Sequence, residues 1–402
     1  MTETPHIYVA LPVMDEPEWL PVILHAIGRQ TFRNFTIVTC VNQPDSWWSD
    51  PAKAAVCQHN SGSLSMLAAE SGFKVEVIDR SSWGAGWTGK MHGVGWARKT
   101  LMDHISQKAN PTDIILSLDA DTRFAEDYFG SLPETLSVHP KATAISTPYY
   151  HDLPEDQDAA RAILRYEIYM RYYFLNLWRI RSPYAFTALG SAMAVPVWAY
   201  RKVGGMTPKL SGEDFYFLQK LKKAGHLINW NRVSVFPAAR FSSRVFFGTG
   251  PAMIRGAAGD WTSYPIYSFR LFDEIAETYR LFPEMYRQTV ATSVIRFLQD
   301  TTGREDPLST LRKNANEASQ FVRACHEKFD GLRILQYLKR RHQEEKGTDE
   351  DRLREWLKDK GYEIRDMGNK FSFAENSIEE LDQVRNFLSQ EENRVRKENP
   401  LC

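Results

Sequence analysis

The chain has 402 residues, more than one ordinary core holds, so two folded units are expected. Hydrophobic residues make up 43% and charged residues 25%, the balance of a soluble globular protein. Lys plus Arg and Asp plus Glu each number 50, so no global field recruits nucleic acid or an anionic membrane, and any basic site must be local.

In chain order, the first 150 residues alternate short apolar runs with helical patterns. IYVALPV (7–13), FTIVTCVN (35–42), KVEVID (74–79), DIILSLDAD (113–121) and ATAISTPYY (142–150) read as strands. Trp19, Ile23 and Ile27 recur at helical spacing between the first two, after acidic Asp15, Glu16 and Glu18. Runs apolar almost throughout, such as IILSL, suit a parallel sheet covered on both faces, whose ligands gather at the carboxyl ends of the strands.

The middle third brings an aromatic, Arg-rich helix over 159–181, the strand-like SAMAVP, and a VGGM turn at 203–206. A helix opening at SGEDFYFLQKLKKAGH follows, then one further strand in LINWNRVSVFP (227–237). From about 270 the pattern is helical and charged, with 339–355 a solvated stretch. The uncharged run 182–200 approaches a membrane span in length, but its two prolines argue against a spanning helix. Four cysteines without C-x-x-C or Cys/His spacing read as free thiols, and no signal peptide is evident, so a cytoplasmic protein is expected.

Three motifs carry chemistry. WGAGWTGKMHG (83–93) nearly satisfies both G-x-G-x-x-G and G-x-x-x-x-G-K. The first reading fails because four residues separate the loop from its strand, which is the third, and Trp87 would crowd a pyrophosphate. The second fails because Met91 stands where a hydroxyl should hold magnesium. Asp119-Ala120-Asp121 ends an apolar run, and on an extended segment its carboxylates would project to one side as a hard-oxygen site for Mg²⁺ or Mn²⁺. The alternative is that Asp121 or Thr122 caps a helix beginning near Ala125. Glu213-Asp214 falls in a Ser211-led capping box, yet acids at a helix start can also present a general base.

Together these features resemble family 2 glycosyltransferases of the GT-A fold, over roughly residues 5–260. The resemblance includes ALPVMDE, RQTFRNFTIVTCVN, GWTGKMHGVGWA, LDADT, the E-x-x-x-R segment beginning at Glu167, VGGM and GEDFYFLQKLKKAG. It implies a GT-A type nucleotide-sugar-binding domain over 1–265, with a mostly parallel central sheet flanked by helices. A helical C-terminal region over 266–402 would follow.

The Q-x-x-R-W motif of processive synthases is missing, so a non-processive enzyme is expected, and the transmembrane helices of many lipid-acceptor relatives are missing too. The resemblance implies a nucleoside diphosphate sugar donor, with Leu11, Pro12, Val13, Glu16 and Asn42 lining base and ribose. Asp119 and Ala120 would also face the donor, with Asp119 on ribose or metal and Asp121 the principal ligand of Mn²⁺ or Mg²⁺. Lys90, Arg240 and Arg244 would meet the diphosphate. Asp214 would be the general base of an inverting transfer, with Glu213 orienting it.

The acceptor, a sugar or a lipid-linked one, is left open, as is peripheral association with the inner membrane face. A nucleotidyltransferase acting on a sugar phosphate is the second reading, although VALPVMDEPEW lacks its basic glycine loop. A non-catalytic transferase-like scaffold is the third.

Overall fold

A computed structural model of the chain describes residues 4–209, 212–242, 248–362 and 371–402. The strands are β1 (Ile7–Val13), β2 (Phe35–Asn42), β3 (Val75–Arg80), β4 (Ile114–Ser117), β5 (Thr122–Phe124), β6 (Ala142–Ser146), β7 (Met193–Pro196), β8 (His226–Ile228) and β9 (Val235–Pro237). Around them run α1 (Trp19–Gly28), α2 (Ala54–Ala69), α3 (Val94–Lys108), α4 (Tyr128–Val138), α5 (Gln157–Arg179), α6 (Val197–Lys202), α7 (Glu213–Ala224) and α8 (Thr249–Ala257). The apolar runs that read as strands become strands because both faces are covered. Every residue of β2 and β4 is buried, and β1 pairs with β2 in parallel from Ile7 opposite Phe35 to Val13 opposite Val41.

The sheet has seven strands in the order β3-β2-β1-β4-β7-β6-β8. It is parallel except where β7 runs antiparallel to β4 and β6. This bears out the expected α/β architecture, a mostly parallel central sheet flanked by helices. The chain leaves β1 toward β2 on one side, and β4 enters on the other, so the carboxyl ends of β1 and β4 form a switch point where α/β proteins place ligands.

Three expectations change. DIILSLDAD does not stay extended: β4 stops at Ser117, and Asp119 to Asp121 form a tight turn closed by Thr122 N–H donating to the Asp119 carbonyl at 3.1 Å. No helix starts near Ala125, because Thr122–Phe124 pair antiparallel with Val235–Pro237 and the helix begins only at Tyr128. LINWNRVSVFP is two strands, β8 on the large sheet and β9 in the separate two-stranded sheet.

The remaining described helices are α9 (Phe269–Met285), α10 (Ser293–Thr302), α11 (Ser309–Asn314), α12 (Ala318–Lys328), α13 (Gly331–His342), α14 (Asp349–Asp359) and α15 (Ile378–Glu398). Within the stretch expected to be solvated, Arg352 and Leu353 are buried, since they lie on the inward face of α14.

Contacts divide the chain into two compact units. One comprises residues 1–163, 186–260 and 393–402, and the other 164–185 and 261–392. In the first, the chain end joins the sheet edge: Cys402 N–H donates to the Leu227 carbonyl at 3.0 Å. In the second, the E-x-x-x-R pair is an interior tie. Arg171 donates to Glu167 at 2.6 and 2.9 Å and to Glu392 of α15 at 2.6 Å, all three buried. The aromatics of α5 are mostly core, with Tyr166, Tyr169, Tyr172 and Phe174 buried. Among the described residues, no helix is long and apolar enough to cross a membrane.

Candidate functional site

The carboxyl end of β1 supplies backbone rather than side chains. Leu11 and Val13 are fully buried in the sheet, and the Val13 carbonyl accepts from Asn42 Nδ2 at 2.9 Å. Asn42 is buried, and its Oδ1 accepts from Trp87 Nε1 at 3.3 Å. Just beyond β1, Asp15 adopts a left-handed backbone (φ 58°), a conformation Asp tolerates better than most residues. Its N–H donates to Asn60 Oδ1 at 2.9 Å, and His59 Nδ1 lies 2.7 Å from its carboxylate. Asn60 reaches on to Gln43 Oε1 at 2.7 Å. Of this hydrogen-bonded floor under the β1 and β2 ends only Asn42 and Asp15 stood out in the sequence; Gln43, His59 and Asn60 are scattered polar residues without a motif.

The glycine-rich loop packs on the chain that leaves β2. Trp87 N–H donates to the Gln43 carbonyl at 2.9 Å, and Asp45 N–H to the Trp87 carbonyl at 2.9 Å. A Cβ on Gly86 would fall 2.7 Å from the Asp45 backbone, so this position needs glycine for close approach, not for a phosphate. Arg80 lies over the Trp87 ring at 5.2 Å. Lys90 is exposed and makes no hydrogen bond or ion pair with the described residues.

The D-x-D turn brings its two carboxylates to two different arginines. Asp121 Oδ2 accepts from Arg240 Nε at 2.9 Å and from Nη2 at 2.6 Å, and the same Nη2 donates to Glu16 at 2.7 and 2.9 Å. Glu16 is buried, and Arg240 lies 5.6 Å over the Trp19 ring. Burial by itself would lower the Arg240 pKa, but Asp121 and Glu16 outweigh it and hold it raised. Ala120, between the two carboxylates, is buried. Arg244 lies outside the described residues.

Asp119 is bound instead by Arg98, which along the chain looks like any other helix arginine. Arg98 sits in α3, buried. Its Nη2 donates to Asp119 Oδ1 and its Nη1 to Glu213 Oε1. Burial pulls its pKa down, and Asp119, Glu213 and Asp214 together more than reverse this.

Helix α7 starts on that buried pair. Its N-cap is Gly212, which has no side chain to offer the capping box expected there. Ser211, its expected first member, lies outside the described residues. Asp214 Oδ1 instead accepts from the next amide, Phe215 N–H, at 2.7 Å. Its pKa is pushed up to about 7, chiefly by burial and then by the adjacent Glu213 charge, against the pull of Arg98. A carboxyl held near neutrality can take a proton and give it up again at working pH.

Among the described residues, no group of three or more His, Cys, Asp or Glu side chains could hold a metal ion alone. Mg²⁺ and Mn²⁺ sites that handle phosphates use one or two carboxylates and let the substrate supply the rest. Asp121, with Asp119 two residues away, fits that kind of donor set once Arg240 is drawn off it. Across the site, Glu16, Asn42, Asp119, Ala120, Asp121, Arg240, Glu213 and Asp214 all belong to the first unit.

Residues 114–312 match the family described as glycosyl transferase family group 2. No curated protein matches the chain significantly. Among solved structures, S. aureus TarS 1-349 in complex with UDP-GlcNAc is similar at TM-score 0.40 and 11% identity, over 92% of this chain and 98% of that one. Mannosyltransferase PcManGT from Pyrobaculum calidifontis, in complex with GDP-Man and Mn²⁺, is similar at TM-score 0.39 and 12% identity, over 98% and 88%.

Proposed function

We propose that this chain, whose residues 114–312 match glycosyl transferase family group 2, is a glycosyltransferase that moves a sugar from a nucleoside diphosphate sugar to an acceptor hydroxyl in one inverting, metal-dependent, non-processive step. The observation that carries this reading is the joining of the D-x-D turn to the Glu213–Asp214 start of α7, beside the ends of β1 and β4, through Arg98.

Asp214 takes the proton of the acceptor hydroxyl onto a carboxylate oxygen as the hydroxyl oxygen attacks the anomeric carbon. The bond from the anomeric carbon to the diphosphate oxygen breaks, and the nucleoside diphosphate leaves with the electron pair. A single displacement inverts the anomeric carbon. The raised pKa of Asp214 supports its use as a base near neutral pH. Glu213, locked to Arg98, orients it.

Leu11, Pro12 and Val13 meet base and ribose through their backbone, with Asn42, Glu16, Asp119 and Ala120 nearby. A divalent cation held by Asp121, with Asp119 beside it, would neutralise the leaving diphosphate as a Lewis acid. Lys90, exposed and without a partner among the described residues, meets donor charge, and Arg240 exchanges Asp121 for the diphosphate as donor arrives.

We assign this chemistry to residues 1–265, with 266–402 a helical extension. The acceptor is a sugar or a lipid-linked saccharide, met in the cytoplasm or at the inner face of its membrane. Free cysteines among the described residues agree with a reducing compartment. The test is sugar release from a panel of UDP- and GDP-sugars, with and without EDTA. Metal-dependent release from one donor supports the reading. Consumption of a nucleoside triphosphate with a sugar phosphate points to a nucleotidyltransferase, and inertness in both assays to a scaffold.

A further inference from the structure

We propose that Arg98 is a positioning residue that fixes the donor carboxylate Asp119 and the base pair of acids Glu213–Asp214 in one rigid unit, an inference that rests on the reading above. A buried guanidinium is unfavourable unless its hydrogen bonds and charge are matched. Here the side chain is 4% exposed, and its two Nη atoms are divided between carboxylates from two separate segments, the β4–β5 turn and the start of α7. The Nε is buried with no hydrogen-bond partner among the described residues, so the fork is placed for the two acids rather than for its own satisfaction.

The acids differ in access. The Glu213 side chain is 3% exposed, whereas that of Asp119 is 34% exposed and keeps a face for ligand. Arg98 therefore has one arm on a residue open to donor and the other on the buried neighbour of the proposed base.

The slot that holds the fork is built from backbone. A Cβ on Gly190 would fall 2.2 to 2.4 Å from the Arg98 guanidinium atoms, so any side chain there would drive the fork off its partners. Gly190 cannot simply retreat, because its carbonyl accepts from Ser117 Oγ, at the end of β4, at 2.7 Å. A planar fork with two parallel arms is something lysine cannot reproduce, since an ammonium on a single stem serves one of the two acids at a time.

Two measurements test this. The first reads the slot without any substrate. Thermal denaturation of Gly190→Ala, Arg98→Ala and the double variant should show strong coupling: Gly190→Ala lowers Tm by several degrees in the wild type and by little once Arg98 is shortened. Equal Tm losses in both backgrounds overturn the slot, whatever the enzyme's activity. The second uses the donor picked out by the nucleotide-sugar panel and compares Arg98→Lys with wild type per folded molecule. Misplacement of the base relative to the donor should reduce kcat by about a hundred-fold, with donor KM changed far less. A variant with lower Tm but wild-type kcat and KM makes Arg98 a structural tie and refutes the positioning role. Should the panel find no donor, the proposed function fails while the Tm coupling still reads the slot.

Discussion

Asp214→Asn separates a base from a helix-start acid in one substitution, and the structure allows its effects on stability and turnover to be worked out separately. The side chain caps nothing at the N-cap. It accepts from Phe215 N–H, which an asparagine oxygen can also do. What is lost is a negative charge at the second position of α7, about 0.3 to 1 kcal/mol of dipole interaction.

Against that stands the raised pKa of Asp214, near 7 in the fold against 3.8 ordinarily. At pH below about 4 both folded and unfolded chains hold the proton, and the residue costs nothing. Between about 4 and about 7 the unfolded chain ionises first, so stability falls as pH rises, and above about 7 the whole penalty stands. Asparagine never ionises, so the variant should be as stable as wild type or more so, with its relative Tm higher at pH 8 than at pH 4.

Turnover should fall by about a hundred-fold or more, because the proton acceptor is gone. In wild type, kcat/KM should rise with pH through an ascending limb near pH 7 that the variant lacks. The assays are differential scanning fluorimetry across pH and product formation from the panel donor, with the product anomer read by NMR. An Asp214→Asn enzyme with wild-type turnover refutes the assignment of the base.

Asp121→Asn should abolish transfer and weaken Mn²⁺-dependent nucleotide binding, measured by calorimetry, while circular dichroism stays native; wild-type turnover at ordinary metal levels removes Asp121 from the metal site. Arg240→Gln frees the Asp121 carboxylate of a competing cation, so nucleotide-free Mn²⁺ binding followed by EPR should tighten several-fold, and unchanged affinity means the ion pair does not compete. Lys90→Ala should raise donor KM several-fold with Tm unchanged, since the exposed side chain has no partner among the described residues; an unaltered KM places the donor diphosphate elsewhere. Glu392→Gln, which leaves buried Arg171 short of one charged partner, should cost about 3 kcal/mol in urea denaturation, and a loss well under 1 kcal/mol would show that water or a neighbour replaces it.

Much of this was legible in the sequence because burial on both faces leaves a strong imprint. The runs 7–13 and 35–42 became β1 and β2 to the residue, since central parallel strands must be apolar along their whole length. The D-x-D at the end of an apolar run and the acids opening a helix were also visible, because each is a local pattern of a few residues. Their number and order along the chain carried the family resemblance.

Pairing at a distance decided the rest. Whether Asp119 to Asp121 stay extended or turn depends on where β4 stops and on Thr122–Phe124 finding Val235–Pro237, partners more than a hundred residues away. The same pairing delayed α4 to Tyr128 and split LINWNRVSVFP into two strands. Arg98 reads as one more helix cation until the fold sets Asp119, Glu213 and the side-chain-free Gly190 around its guanidinium. Arg240 likewise finds Glu16 and Asp121 only when the ends of β1 and β4 are side by side. Local propensity and hydrophobic period act over a few residues and so write elements and motifs into the sequence. A charge network is written only by the contacts that close it, which is why Arg98, and the partners of Arg240, stayed invisible until the chain was folded.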